Sequence, residues 1–575
     1  MNTTRRSRLV AAVVLSAAMA CSSGDGGARR VSGLRDLPSS APAGPSTPKG
    51  TTAAGPGAAT GAPAAPGARH RDGATATSSS PSGPPGHAGA GAGDCTAASA
   101  SDQYRDGPGH DHRDINQHRA ACRVEQVAFL SLRDQLGDEV LGEMDVKGDI
   151  AAVAVAYPQA GVLFFDVADP ARPRFLSRYR SSECEGQVID IDCGAFVDLS
   201  ADGKWAYLSV QQATVVPGRV PDLQAPGPAV PGVELIDVTD PLRPALADVL
   251  PIVSAGGVHT SRSHVIPEGL APDAVPGEYV FSVANGLGVA VSRVEPGLLG
   301  GKRLAFVKLI PMDDVHDTFI QNDPIDRRTY LYVAAGLESG FYVFDVTDPG
   351  GPTPLKAEWD LTPECEGDWY AHTIDVTTRG SRRYVTMPAE LFVQGEQQAE
   401  DQAEGCGAAL GNGDKAGPLW IVDASDLSRL GPADAGDDGA VEAATEAVLK
   451  ARSEDALVAT WTNAAGRPAG FLTFSPHNQQ IVGDRIYLSG YHSGVTVLDA
   501  SAAFAGQPTR PAEVGFVVPS GPETRPFFVQ AVPPVVPFFA LATSARPLIW
   551  DQVFYKGHIL AADMVGGFYS FSAPG

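Results

Sequence analysis

The hydrophobic positions of this chain fall in short runs, not at helical spacing. Five segments share one pattern: a glycine or proline, a four-residue run that is mostly apolar and β-branched, then aspartate. They are GVLFFDVADP from Gly161, GVELIDVTDP from Gly232, GFYVFDVTDP from Gly340, PLWIVDASDL from Pro418 and GVTVLDASAA from Gly494. Two weaker copies, GVAVSRVEP from Gly288 and GFYSFSAPG from Gly567, fill the gaps. The aspartate position falls at Asp166, Asp237, Ser292, Asp345, Asp423, Asp499 and Ser572, seven copies spaced by 53 to 78 residues. A second strand-like stretch lies upstream of each run, from Ile150–Ala156 in the first copy to His558–Ala562 in the last. Downstream, an Asp-Pro turn leads to a further strand such as Phe175–Tyr179 or Leu355–Trp359. Aspartate caps its own backbone and proline cannot donate to a ladder, so the pair ends a strand. Four short antiparallel strands repeated seven times predict an all-β, seven-bladed β-propeller over residues 124–575. The last copy stops after its third strand. Val124–Leu132 (VEQVAFLSL) is expected to supply the missing outer strand and close the ring.

The repeat resembles the LVIVD repeat family, named for its apolar run and aspartate, with LWIVD at Leu419–Asp423 and VTVLD at Val495–Asp499 fitting well. The resemblance covers roughly residues 124 to 575. It implies a β-propeller and says little of activity, since that family is mostly uncharacterised surface or exported protein. Spacing between copies places insertions at Gln211–Pro231, Gln394–Gly417, Arg429–Asp455 and Ser520–Pro547, which are expected to shape a binding face.

Ahead of the repeats the pattern changes. Residues 1–21 carry Arg5, Arg6 and Arg8, then an apolar run, then Ala18-Met19-Ala20-Cys21. This reads as an export signal, too short in its apolar part to span a bilayer. Its end resembles a bacterial lipoprotein cleavage site with Cys21 as the lipidated residue, although Ala18 stands where that family usually has leucine. A plain signal-peptidase cut near Ala20 is the competing reading, and Thr4-Arg5-Arg6 is a poor twin-arginine signal. Residues 22–93 are almost entirely Gly, Ala, Pro, Ser and Thr, and are expected to form a disordered tether.

Seven cysteines fit that picture. Setting Cys21 aside leaves Cys95, Cys122, Cys184, Cys193, Cys365 and Cys406, an even set in an exported chain. Order along the chain suggests Cys95–Cys122, Cys184–Cys193 and Cys365–Cys406, one of fifteen possible pairings. Residues 94–123 would then be a disulfide-stapled segment containing His110, His112 and His118, either a metal ligand set or a solvated linker. Net charge is −24, from 43 Lys+Arg against 67 Asp+Glu, which argues against a nucleic-acid partner and against any membrane contact beyond a lipid anchor.

Candidate chemistry lies at one blade position. Ser263-His264-Val265, Val315-His316-Asp317, Ala371-His372-Thr373 and Pro476-His477-Asn478 are each expected to open the first strand of a blade, and Asp551 takes that place in the last. Innermost strands of a propeller line its channel, so His264, His316, His372, His477 and Asp551 are expected to converge near the axis. Imidazoles with a carboxylate suit a transition metal such as Zn, Cu or Fe. Such a ring resembles, in architecture, the copper-associated selenium-binding and methanethiol-oxidising propellers. The competing reading is a set of channel-lining residues that hydrogen-bond neighbouring blades. No GxxxxGK[ST], HExxH or GxSxG motif is present, and catalysis is not indicated. The sequence therefore predicts an extracytoplasmic, lipid-anchored or secreted monomer that binds an envelope protein, glycan or small ligand. A metal-dependent, oxidoreductase-like enzyme using the histidine ring is the alternative.

Overall fold

The computed structural model describes residue 95 and, with short gaps, residues 121–575; its longer gaps are 184–192, 212–230, 362–369, 391–416, 464–474 and 520–546. Cys21, the tether, His110, His112, His118, Cys184, Cys365, Cys406 and most of three expected insertions lie outside the described residues. The described residues belong to the unit Met1–Gly27 with Asp94–Gly575, and the second unit, Ala28–Gly93, is not described.

Seven antiparallel sheets follow one another along the chain. Blade 1 comprises Val140–Lys147, Ile150–Tyr157, Gln159–Asp166 and Arg174–Glu183; blade 2 comprises Phe196–Leu199, Trp205–Val210, Gly232–Asp237 and Ala245–Pro251. Blade 3 begins at Val258–Ile266, blade 4 at Asp317–Asp323, blade 5 at Asp375–Arg379, blade 6 at Gln479–Val482 and blade 7 at Ile549–Tyr555. These seven first strands touch one another in order, and the last touches the first, so the sheets close into a ring. Seven clusters of buried apolar side chains among the described residues sit one at each junction between blades, including the junction of blade 7 with blade 1. The architecture is a seven-bladed β-propeller, and each blade is apolar on both faces because each is sandwiched between two others.

Every repeat copy is the third strand of its blade, and its grammar has a physical cause. Each aspartate accepts a hydrogen bond two residues on: Asp166 from Ala168 N (2.9 Å), Asp237 from Thr239 N (2.9 Å), Asp345 from Thr347 N (3.1 Å), Asp423 from Ser425 N (2.9 Å) and Asp499 from Ser501 N (3.0 Å). At Gly494 the backbone has φ 75° and a Cβ would collide with the Val517 carbonyl; at Gly288 φ is 112° and the Ile310 carbonyl stands in the way. Glycine lets the fourth strand approach there.

The chain ends interlock as expected. Gln126–Ser131 pairs with Gly567–Ser572 and completes blade 7. A second clasp was not legible: Ala121–Cys122 pairs with Ala512–Val517 as a fifth strand on blade 6. The Cys95–Cys122 disulfide fastens it (Cα–Cα 6.1 Å), and Cys95 N donates to the Glu513 carbonyl on the same blade. Cys193 is also disulfide-bonded, while its expected partner lies outside the described residues. Within the expected insertion after Asp423, Gly439–Ala456 is an α-helix against the outer strand of blade 4, where Trp359 Nε1 donates to the Ser453 carbonyl at 3.0 Å. Among the described residues no helix is long and apolar enough to cross a membrane.

Candidate metal centre

Four histidines meet where the first strands begin. His316 and His477 immediately precede or nearly precede their blades' first strands, His372 follows the short strand Tyr370–Ala371, and His259 is the second residue of Val258–Ile266. Backbone bonds to the second strand side of each blade fix three of them: His316 N to Ala334 O (2.9 Å), His372 N to Pro388 O (3.1 Å) and His477 N to Ser489 O (2.9 Å). Their rings form a continuous row across blades 3 to 6, with centroids 4.4 Å apart for His259–His316, 4.1 Å for His316–His372 and 4.0 Å for His372–His477. The Trp550 ring of blade 7 continues the row, 4.4 Å from His477.

The hydrogen bonds assign most of the ring protons. His259 Nδ1 lies 2.7 Å from Gln211 Oε1, His316 Nδ1 lies 2.8 Å from the His372 carbonyl, and His477 Nδ1 lies 2.6 Å from the Trp550 carbonyl. The two backbone carbonyls only accept, so Nδ1 of His316 and of His477 carries the hydrogen and their Nε2 atoms present lone pairs. This is the outer arrangement that orients metal-ligating imidazoles. The Gln211 side-chain amide can donate to His259 Nδ1, which leaves the hydrogen on His259 Nε2 to bridge the 2.9 Å to His316 Nε2. Burial pushes His259, His316 and His477 down from 6.5 to about 3, and His372 well below 6.5 with its histidine neighbours adding to the effect. The rings are therefore neutral at physiological pH.

A carboxylate completes the group. Glu390 ends Arg382–Glu390, the second strand of blade 5. Its Oε2 lies 3.5 Å from His372 Nε2 and its Oε1 lies 3.8 Å from His477 Nε2. Tyr491 donates its hydroxyl to Oε1. Tyr491 is fully buried and holds φ 51°, a left-handed conformation costly for a bulky residue and tolerated where surrounding contacts impose it. One ligand atom each from His372, Glu390 and His477 all lie within 4.8 Å of one another. An ion about 2.0–2.2 Å from each ligand spaces its ligands by about 3–4 Å, so this nitrogen and oxygen set fits a transition metal.

The structure brings together His316, His372 and His477 of the five residues expected from sequence, and places His264 and Asp551 elsewhere. His264 lies opposite Tyr279, five residues beyond His259 on the same strand and so about 16 Å further along it. The strand begins earlier than its Ser-His-Val segment suggested, with an irregularity between Val258 and Ser261. Asp551 sits one residue past the ring position, which Trp550 holds, and successive strand residues point to opposite sides. Asp551 accepts instead from Met144 N of blade 1 at 2.8 Å. It belongs to a set of interblade staples: Asp145 accepts from Leu199 N (2.9 Å), Asp198 from Ser263 N (2.9 Å) and Asp375 from Ile481 N (2.7 Å). These carboxyls, with Arg262 and Lys147, line a separate cavity of about 280 Å³ to which all seven blades contribute. Asp551 thus lines this cavity and joins blade 7 to blade 1. Sequence reasoning missed His259, Glu390, Tyr491 and Gln211. For His259 a signal existed: Thr260, Asp317, Thr373 and Asn478, each short and polar, follow the converging histidines, whereas Val265 follows His264.

The ring of sheets with side chains gathered at its axis defines a seven-bladed β-propeller, whose chemistry is set by its site and not by its fold. No family model matches the sequence, and no curated protein matches it. Among solved structures the chain is similar to a periplasmic gluconolactonase, PpgL, of Pseudomonas aeruginosa (13% identity, 64% of this chain and 82% of that one, TM-score 0.38). It is also similar to the Cps50 (Swd1) β-propeller domain of Myceliophteria thermophila (9%, 76% and 98%, TM-score 0.39) and to BamB of Moraxella catarrhalis (8%, 78% and 97%, TM-score 0.38). These are similarities of fold.

Proposed function

We propose that this chain is an exported, lipid-anchored propeller of the LVIVD-repeat type, and that it binds a transition-metal ion on its axis through His372, His477 and Glu390. The observation that carries the metal reading is the pairing of two neutral imidazoles with the two oxygens of one buried carboxylate, His372 Nε2 at 3.5 Å and His477 Nε2 at 3.8 Å. A buried carboxylate costs several kcal/mol unless a cation or hydrogen bonds compensate it, and a metal ion supplies such a charge. Export and anchoring are supported by Arg5, Arg6 and Arg8 ahead of an apolar run ending at Cys21, and by an extracytoplasmic style of cysteine use. The long interblade insertions support an envelope protein, glycan or small ligand as the partner at the insertion-bearing face.

Two measurements test this. Protein purified from the envelope, stripped with chelator and dialysed against Cu²⁺ or Zn²⁺, is expected to retain metal. His477→Ala and Glu390→Gln should weaken retention by more than the 10–100-fold typical of losing an outer hydrogen-bond partner. His264→Ala should retain the wild-type content, and equal metal in all four proteins would reject the site. Separately, Cys21→Ser is expected to move the protein from the membrane fraction to the soluble one. Unchanged partitioning would reject the anchor.

A further inference from the structure

We propose that the axial cavity beyond the histidine row binds a small organic cation of the alkyl-diamine class, its ammonium groups held among the carboxyls of Asp198, Asp375 and Asp551. This goes beyond the metal reading and does not rest on it. The cavity of about 280 Å³ lies further along the same first strands: Asp375 is three residues past His372, Gln480 three past His477 and Val553 three past Trp550.

Acceptors outnumber donors in its wall. Five carboxyls line it against two cations, and both cations are engaged. Arg262 donates to Asp317 at 3.0 Å, and Lys147 donates to Asp145 at 2.9 Å. The other three carboxyls have neutral donors. Asp198 accepts from Ser263 N (2.9 Å) and Ser263 Oγ (2.5 Å), Asp375 from Val376 N and Ile481 N (both 2.7 Å), and Asp551 from Met144 N and Gln552 N (both 2.8 Å). A carboxylate offers about four acceptor positions, so each keeps room for a further donor. Burial pushes Asp198 and Asp551 up to about 6 and Asp375 to about 7, as befits carboxyls short of compensating positive charge.

Two buried amide oxygens in the same wall also lack donors. Gln552 Nε2 donates to the Tyr487 carbonyl at 3.0 Å, which fixes the orientation of that amide and leaves its Oε1 without a partner among the described residues. Asn478 directs its amide at Asp551 and Glu143, and its Oδ1 likewise has no partner there. Asn478 and Gln552 are 4% and 2% exposed, so bulk water does not serve them, and a ligand rich in N–H donors does.

The wall also selects among ligand classes. An anion would meet the surplus of carboxyls. A bare metal ion finds no grip, since among the described residues only His372, Glu390 and His477 bring three ligand atoms within 4.8 Å of one another. Ile320, Ile374 and Val553 give the cavity an apolar part that suits methylene groups better than the hydroxyls of a sugar. Arg262 shows how an organic cation sits here: its guanidinium bonds Asp317 and lies 4.3 Å from the Phe196 ring.

The test is calorimetric titration of chelator-stripped full-length protein at low ionic strength with diaminobutane, succinate and glucose. The wild type is expected to bind one diaminobutane per chain, more weakly as salt is added, and neither of the others. Asp375→Asn and Asp551→Asn should each weaken binding by about tenfold or more, the size of one charge-assisted hydrogen bond. Val553→Trp, which fills the cavity and leaves every carboxyl in place, should abolish it; all three variants are checked for an unchanged circular dichroism spectrum. Equal affinity in the wild type and the variants would overturn the site. Binding of succinate or glucose in place of diaminobutane would overturn the ligand class, and binding of none of the three would overturn the proposal. Because the protein is stripped, each of these results is independent of the metal centre.

Discussion

Replacing Arg383 by methionine is expected to cost about 3–5 kcal/mol of folding free energy, the usual penalty for removing one partner of a fully buried ion pair. Arg383 lies in the second strand of blade 5 and is completely enclosed. Its Nε donates to Asp323 Oδ2 at 2.7 Å, one terminal nitrogen donates to Asp326 Oδ2 at 2.7 Å, and the other to the Ala424 carbonyl at 2.8 Å. Asp323 is equally enclosed, so loss of the guanidinium leaves its charge without water or cation. The Asp326 limb adds less, because that carboxylate is 39% exposed and solvent screens it. The pair spans the junction of blades 4 and 5, and its loss also loosens the ring. Chemical denaturation at constant m value measures the effect. Adding Asp323→Asn should recover part of it by removing the stranded charge. A loss under about 1 kcal/mol would mean that water already reaches the pair.

No pattern in the sequence announces that ion pair, and the contrast with the repeat is instructive. The Gly–apolar–Asp unit is legible because each of its constraints acts within a few residues or against the next strand. The glycine answers a neighbouring carbonyl, the apolar run answers two flanking blades, and the aspartate closes its own turn. The closure by Gln126–Ser131 is legible for a similar reason, since counting strands leaves one place open. Arg383 sits in an Arg-Arg pair beside a turn, where solvated charge is the ordinary expectation, and only the approach of blade 4 makes it interior.

The axial site divides in the same way. That histidines recur at one strand position was visible, and three of the residues so chosen do meet. His259 and His264 share a strand, and what separates them is where that strand begins, which the sequence pattern left undecided. Glu390 carries no motif. It ends an apolar strand, and its role arises because Tyr491 of blade 6 reaches it across the junction. The alternation of a strand also explains why histidine and aspartate serve different tiers. His316 faces His259, while the adjacent Asp317 turns to Arg262 at 3.0 Å. Asp551 aligns with Asp317 and not with His316, so its carboxylate joins the staples.

Those two tiers should answer acid with opposite signs in the metal-free protein. His259, His316 and His477 are held down to about 3 and His372 lower still, by burial, against 6.5 when free. Their contribution to stability is complete above about pH 6.5 and drains as pH falls through that value toward 3, because the unfolded chain takes up protons that the folded one refuses. Burial instead raises Asp198 and Asp551 from 3.8 to about 6, and Asp375 to about 7. The folded state keeps protons on these carboxyls that the unfolded chain has released, so their contribution is complete below 3.8 and is lost as pH rises through 6 to 7. Between about pH 4.5 and 6 each group changes the stability by about 1.4 kcal/mol per pH unit. In that interval His477→Gln should flatten the acid loss of stability by about this slope, and Asp375→Asn should steepen it by the same amount. Asp375 also accepts from Val376 N and Ile481 N at 2.7 Å, so its replacement costs stability at every pH, and the slope is the quantity to read. Denaturation curves at four pH values across the interval suffice. Plots of stability against pH that run parallel for wild type and both variants would mean that these groups titrate alike in the folded and unfolded chains, and that the axis is open to water.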